Sequence, residues 1–160
     1  MNHSRPRIIG VVNEVGRGSG LAETVVYRLG ALGALANSRF AARIERHGLK
    51  PRHLALMTAL DAGRVASQQD LAVRLGVAPS LVVALADHLE SVGAVARTRD
   101  ARDRRRQVLA LTEHGRELLA VCAAAARQLD EELTAALPEG DRAALDRVLA
   151  ALGVEAGGAA

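Results

Sequence analysis

The chain has 160 residues, enough for one domain with a full core, and 24% of them are charged, which argues against a disordered chain. Tyr27 and Phe40 are its only large aromatics, which argues against an aromatic-lined substrate pocket and against base stacking on aromatic platforms. Net charge is +3 with a pI near 9.9, and because Lys50 is the only lysine the positive charge is almost all arginine, whose planar fork suits phosphates and base edges.

Cys122 is the single cysteine, so no intramolecular disulfide can form, which fits a reducing cytoplasm. Residues 1–20 end in GRGSG, a flexible composition. The apolar run Ile8 to Val12 is shorter than the roughly 7–15 residues of a signal-peptide core, and it has no evident structural role. No stretch approaches the roughly 18 apolar residues of a membrane span. The expectation is a cytoplasmic protein with no membrane partner.

From Leu21 to His47 the period is helical, with Val25, Leu29, Leu32, Ala36, Phe40 and Ile44 three or four apart. Gly48 stops this helix, and Pro51 suits the first turn of the next, which runs to about Ala62 with Leu54, Met57 and Leu60 inward. Ser67, followed three residues later by Asp70, resembles a capping box opening a helix that Gly76 ends. The four-residue turn VAPS leads to another helix from Pro79 to Val92, closed by Gly93. Two helices of this size joined by a short turn read as a helix-turn-helix.

Residues 95–99 and 104–111 then read as extended arms around a polar tip, with Arg105, Gln107, Leu109 and Leu111 alternating onto one face. A hairpin directly after a helix-turn-helix is a wing. Thr112 caps a long helix to about Leu137, with Leu118, Cys122, Ala125, Leu129 and Leu133 on one stripe. A short helix from Asp141 to Leu152 follows, and the tail 153–160 reads as disordered.

The fold class expected is mainly α with a small β-hairpin wing. The chain divides into an extension (1–20), one domain (21–152) and the tail. Within the domain, 51–111 is the winged helix-turn-helix, and 21–47 with 112–152 are flanking helices. Their wide Leu/Ala faces need partners, which can be each other or a second copy of the chain, two-fold dimers being the commonest oligomers.

GLKPRHLALMTAL, SQQDLAVRLGVAPS, LADHLESVGAVAR and DARDRRRQVLALTEHGREL together resemble the MarR family of bacterial transcription regulators, over roughly residues 21–152. Asp103-Arg104-Arg105 followed by VLALT and a helix is the most specific part. The resemblance implies a homodimer on an inverted-repeat operator in double-stranded DNA. It also implies release by a small aromatic or phenolic effector.

RTRDARDRRRQ, residues 97–107, holds six arginines and two aspartates. As an isolated loop it could pair its own charges and do nothing, since surface pairs are worth only about 0–1 kcal/mol. Beside a recognition helix, however, it can reach a minor groove, whose negative potential attracts arginine. The family pattern makes Asp103 a buttress, Arg105 the groove probe, and Arg104 or Arg106 a phosphate contact. Arg97, Arg99 and Arg102 join the same candidate set.

On the recognition helix, Val82, Leu85, Ala86 and Leu89 form the inner face. The outer face offers Ser80, Leu81, Val83, Ala84, Asp87 and His88, where many relatives carry threonine and arginine. None of these side chains gives the bidentate readout of guanine or adenine that Arg, Lys, Asn or Gln gives. Three readings follow: thymine-methyl contacts by Leu81, Val83 and Ala84 with polar contacts from Ser80 and His88; relaxed, low-specificity binding; or an apolar protein-binding surface. The arginine wing favours the first. Ser67 and Gln68 can donate to phosphate from a helix start, or Ser67 can be a cap, or both.

The resemblance places an effector pocket near His53 and Met57, with Arg39 and Arg43 available to a carboxylate. Cys122, on an apolar stripe, reads as core. The histidines show no metal-ligand spacing, and no catalytic constellation stands out, so neither an enzyme nor a cofactor is expected.

Overall fold

A computed structural model describes residues 20–63, 65–100 and 107–152. The described residues fall into two compact units, divided between Arg39 and Phe40.

The first unit holds a 3₁₀ turn, Leu21–Glu23, and most of helix α1 (Val25–Ile44). The expected helix over 21–47 is therefore shorter. Thr24 is extended (ψ 145°), and its hydroxyl donates to the Leu21 carbonyl at 2.7 Å and accepts the Tyr27 N–H at 3.4 Å. It caps α1 instead of continuing it. A second 3₁₀ turn, Glu45–His47, follows α1, and Gly48 closes it at φ +69°. Val25, Val26, Leu29 and Leu32 are exposed.

The second unit holds α2 (Pro51–Gly63), β1 (Val65–Ala66), α3 (Gln68–Leu75), α4 (Pro79–Ser91), β2 (Val95–Arg99), β3 (Gln107–Leu111), α5 (Glu113–Thr134) and α6 (Glu139–Ala151). Its core is aliphatic. Ile44, Leu49, Leu56, Met57, Leu60, Leu71, Val82, Leu89 and Leu109 are almost wholly buried. Burying each Leu, Val or Met contributes about 1.5–3 kcal/mol before conformational entropy is counted.

The sheet has three antiparallel strands in the order β1-β3-β2, one more than the expected hairpin. In the hairpin Val95 pairs with Leu111, Arg97 with Leu109 and Arg99 with Gln107. Val65 and Ala66 add the third strand on the far side of β3. The simple in-out alternation expected of β3 is lost, because Val108 is buried along with Leu109 and Leu111.

Thr112 starts α5 as expected, and it also ties the helix to the sheet. Its hydroxyl accepts the Gly115 N–H at 2.9 Å and donates to the Gly93 carbonyl at 2.7 Å, while its N–H donates to the Ala94 carbonyl. Gly115 is buried so tightly here that a Cβ would lie 2.0 Å from the Ala94 oxygen. Cys122, Ala125 and Leu129 bury their stripe as the spacing predicts. Helix α5 ends at Thr134, three residues before the expected end, and α6 begins at Glu139, two before the expected start, with Pro138 at its N-cap. No residue of α6 is buried within the chain.

Candidate nucleic-acid interface

The supporting helix α3 begins with a complete capping box. Ser67 Oγ accepts the Asp70 N–H, and Asp70 Oδ2 accepts the Ser67 N–H, each at 3.1 Å. Ser67 is only 8% exposed, and its hydroxyl also donates to Asp70. Gln68, half-buried, is the first residue of the helix. Gly76 ends α3 at φ +62°, and its N–H donates to the Val73 carbonyl and that of Val77 to Ala72. The chain bends by 113° between α3 and α4, the crossing expected of a helix-turn-helix.

Helix α4 opens with Pro79 at its first turn and buries Val82, Leu85, Ala86 and Leu89, the inner face that the spacing predicts. Ser80, Val83, Ala84 and Asp87 form the exposed stripe opposite. Two expected members of the outer face sit elsewhere. Leu81 is half-buried against the core. His88 turns toward α2, where its Nε2 donates to the Gly48 carbonyl at 2.7 Å. A carbonyl oxygen can only accept, so the proton is on His88 Nε2.

The His88 ring stacks on that of His53, with centroids 4.3 Å apart and planes at 12°. His53 stands in the first turn of α2, and its Nδ1 accepts the Lys50 N–H at 3.0 Å. It therefore fills the capping role of a Gln or Glu at this position. Burial, the neighbouring His88 and Lys50 push the His53 pKa down to about 4. The ring is neutral at physiological pH.

On the wing, Arg97 of β2 donates to Asp87 Oδ1 and Glu90 Oε2, both on α4. The guanidinium of this expected DNA-contact residue is thus paired with two carboxylates of the neighbouring helix. Its pKa is raised, first by the Asp87 hydrogen bond. Arg99, two residues on, is exposed and pairs with no described residue. Arg102, Asp103, Arg104, Arg105 and Arg106 lie outside the described residues.

The expected effector residues are placed as follows. Arg43 of α1 is ion-paired with Glu132 of α5 at 2.5 Å. His53 belongs to the histidine stack, and Met57 is fully buried. Arg39 lies in the first unit. Cys122 is buried, which pushes its thiol pKa up and fits a packing role. Among the described residues no group of three or more His, Cys, Asp or Glu is placed to hold a metal ion. No single described helix is long and apolar enough to cross a membrane.

The sequence could have signalled two of these contacts. Acids at 87 and 90, three apart on one helix, need a cation nearby, and Arg97 is within reach once the hairpin folds back. Lys50-Pro51-Arg52-His53 after Gly48 has the spacing of a cap, though not its usual residues.

A capped helix, a 113° turn, a second helix with an exposed stripe, and a hairpin braced against it define a winged helix-turn-helix protein. A family model described as MarR family matches residues 47–106. The chain is 35% identical over 72 residues to the HTH-type transcriptional repressor MdtR of Bacillus subtilis (strain 168), a match covering 45% of this chain and 46% of that protein, under half its length. Among solved structures it is similar to the transcriptional repressor CouR bound to a 23-mer DNA duplex, with 31% identity, 88% of this chain and 99% of that one covered, and a TM-score of 0.74. It is also similar to CouR from Rhodococcus jostii RHA1 bound to p-coumaroyl-CoA, at 26% identity, 82% and 93% coverage, and a TM-score of 0.67. The chain belongs to the MarR family and is a transcription regulator of that family.

Proposed function

We propose that the chain is a homodimeric repressor that binds an inverted-repeat site on double-stranded DNA and is released by a small effector. The observation that carries this reading is the exposed stripe of Ser80, Val83, Ala84 and Asp87 beside a hairpin whose sequence is dense in arginine. An α-helix fits the major groove, and wing arginines fit the minor groove next to it. Val83 and Ala84 suit thymine methyl groups, and Ser80 supplies a polar contact. Half-sites would lie about one helical turn apart. The DNA-bound relative supports the mode of binding, and the acyl-CoA-bound relative supports an effector.

The dimer is supported by exposed apolar residues in each unit: Val25, Leu29 and Leu32 on α1, and Val148 on α6 with Leu152 at its end. A second copy would remove these from water. A cytoplasmic location and the absence of catalysis go with this reading.

The second reading is a low-specificity DNA binder or interaction module. The observation in its favour is the outer stripe itself, which lacks Arg, Lys, Asn and Gln. Selection of binding sites from random duplex DNA separates the two. A two-fold symmetric sequence is expected. Salt-sensitive binding with no enriched sequence would favour the second reading.

A further inference from the structure

Arg97 sits midway along β2, seven residues after Glu90 and ten after Asp87. One terminal nitrogen of its guanidinium donates to Glu90 and the other to Asp87. The two acids are three residues apart on α4, so the rigid fork spans most of one helical turn. The Arg97 side chain is 23% exposed, whereas Asp87 and Glu90 are 58% and 43% exposed. The cation lies in the angle between strand and helix, and the carboxylates close over it.

Arg99 provides the contrast. It is two residues further along the same strand and so leaves on the same side, yet it is exposed and pairs with no described residue. One arginine faces outward, and the other is held by the helix that reads DNA. A duplex engages wing and helix together only if their separation is fixed. Otherwise binding one leaves the other to be ordered at a cost in affinity.

We infer that Arg97 is a positioning residue, a strut that fixes the wing hairpin against the recognition helix through Asp87 and Glu90 and makes no contact with DNA of its own. The inference rests on the reading that α4 and the hairpin bind duplex DNA.

The test is a mutant cycle on the full chain, using the duplex selected from random DNA. The variants are Arg97→Gln, the pair Asp87→Asn with Glu90→Gln, and all three together. Arg97→Gln should weaken binding about tenfold in the otherwise native protein, and the same change should alter Kd less than about twofold when both carboxylates are already gone. An equal loss in both backgrounds would identify a direct DNA contact and overturn the strut. So would no loss in either.

Amide hydrogen exchange on the DNA-free protein gives an independent readout. Arg97→Gln should speed exchange in Val95–Arg99, with no further change in the triple variant and none in α2. Unchanged exchange in β2 overturns the strut. A native protein that binds no duplex would overturn the proposed function instead, and the exchange result would still decide whether Arg97 braces the hairpin.

Discussion

His53 and His88 stack ring on ring at 4.3 Å, one on the scaffold helix α2 and one on the recognition helix α4. Each ring is also fixed to backbone, His53 Nδ1 by the Lys50 N–H and His88 Nε2 by the Gly48 carbonyl. The loop before α2, the start of α2 and the end of α4 are thus joined by two stacked imidazole rings. Protonating His53 would place a buried cation against His88 and Lys50 and remove the acceptor for the Lys50 N–H.

This gives a stability prediction with a definite sign. The His53 pKa is about 4 in the folded protein and about 6.5 when unfolded, so between those values the unfolded chain binds more protons. The contribution of neutral His53 is complete above about pH 6.5 and is lost as pH falls toward 4, to a ceiling of about 3 kcal/mol. His53→Gln keeps an acceptor for the Lys50 N–H and does not titrate. Urea unfolding at pH 7 and pH 5 should show native stability falling more steeply than that of the variant. Parallel pH dependences would mean that His53 titrates normally.

The buried face of α4 was legible in the sequence because four apolar residues recur at the helical period with nothing competing. The capping box at Ser67 and the cap at Thr112 were legible from short-range chemistry. Strand β1 was not, since two residues are too few to show an alternation. Leu81 and His88 flank the outer face, and such positions are settled by tertiary packing: Leu81 takes the core, and His88 finds a ring and a carbonyl on other elements. Arg97 was hidden within a charge run, where spacing does not say which arginine folds back. The role of His53 was missed because Lys50 and His53 are not the residues that usually build a cap.

Gly115 is required by space. A Cβ there would sit 2.0 Å from the Ala94 carbonyl oxygen and 3.1 Å from Leu111 Cδ2, against backbone that is itself hydrogen-bonded to Thr112. Gly115→Ala should cost about 2–3 kcal/mol as the start of α5 is forced off the sheet. Gly140→Ala, where a Cβ meets nothing within 4 Å, is the control and should change stability by no more than about 1 kcal/mol. Equal effects in chemical denaturation would mean that the α5–β2 junction relaxes freely.

Ser67→Ala removes the acceptor for the Asp70 N–H and leaves Asp70 without its hydroxyl partner. The expected loss is about 1 kcal/mol, read as a lower denaturation midpoint with an unchanged slope. Ser67→Asn, which keeps a capping acceptor, should recover most of it. A full-sized loss in both variants would point to packing of the buried serine instead of capping.

The arginine wing should behave as a set of phosphate and groove contacts. Arg105→Ala is expected to weaken binding to the selected duplex by about 1–3 kcal/mol without lowering thermal stability. Arg99→Gln, which removes an exposed charge that pairs with no described residue, should reduce the slope of log K against log salt by about 0.9 if it neutralises one phosphate. An unchanged slope and affinity for both variants would take the wing out of the interface.

Leu29 and Leu32 lie three apart on α1 and are 44% and 51% exposed, and Val25 one turn earlier is 70% exposed. Three aliphatic residues on one stripe of a helix are costly to leave in water, at about 25 cal/mol per Å² of apolar surface. A second copy of the chain is the partner proposed to cover them. Replacing both leucines, Leu29→Glu with Leu32→Glu, places charges in that contact and should convert the dimer to monomer in sedimentation equilibrium. Affinity for an inverted repeat should fall by far more than affinity for a single half-site, because joining two half-site contacts raises the effective concentration of the second. A variant that still sediments as a dimer would place the self-association surface elsewhere on the chain.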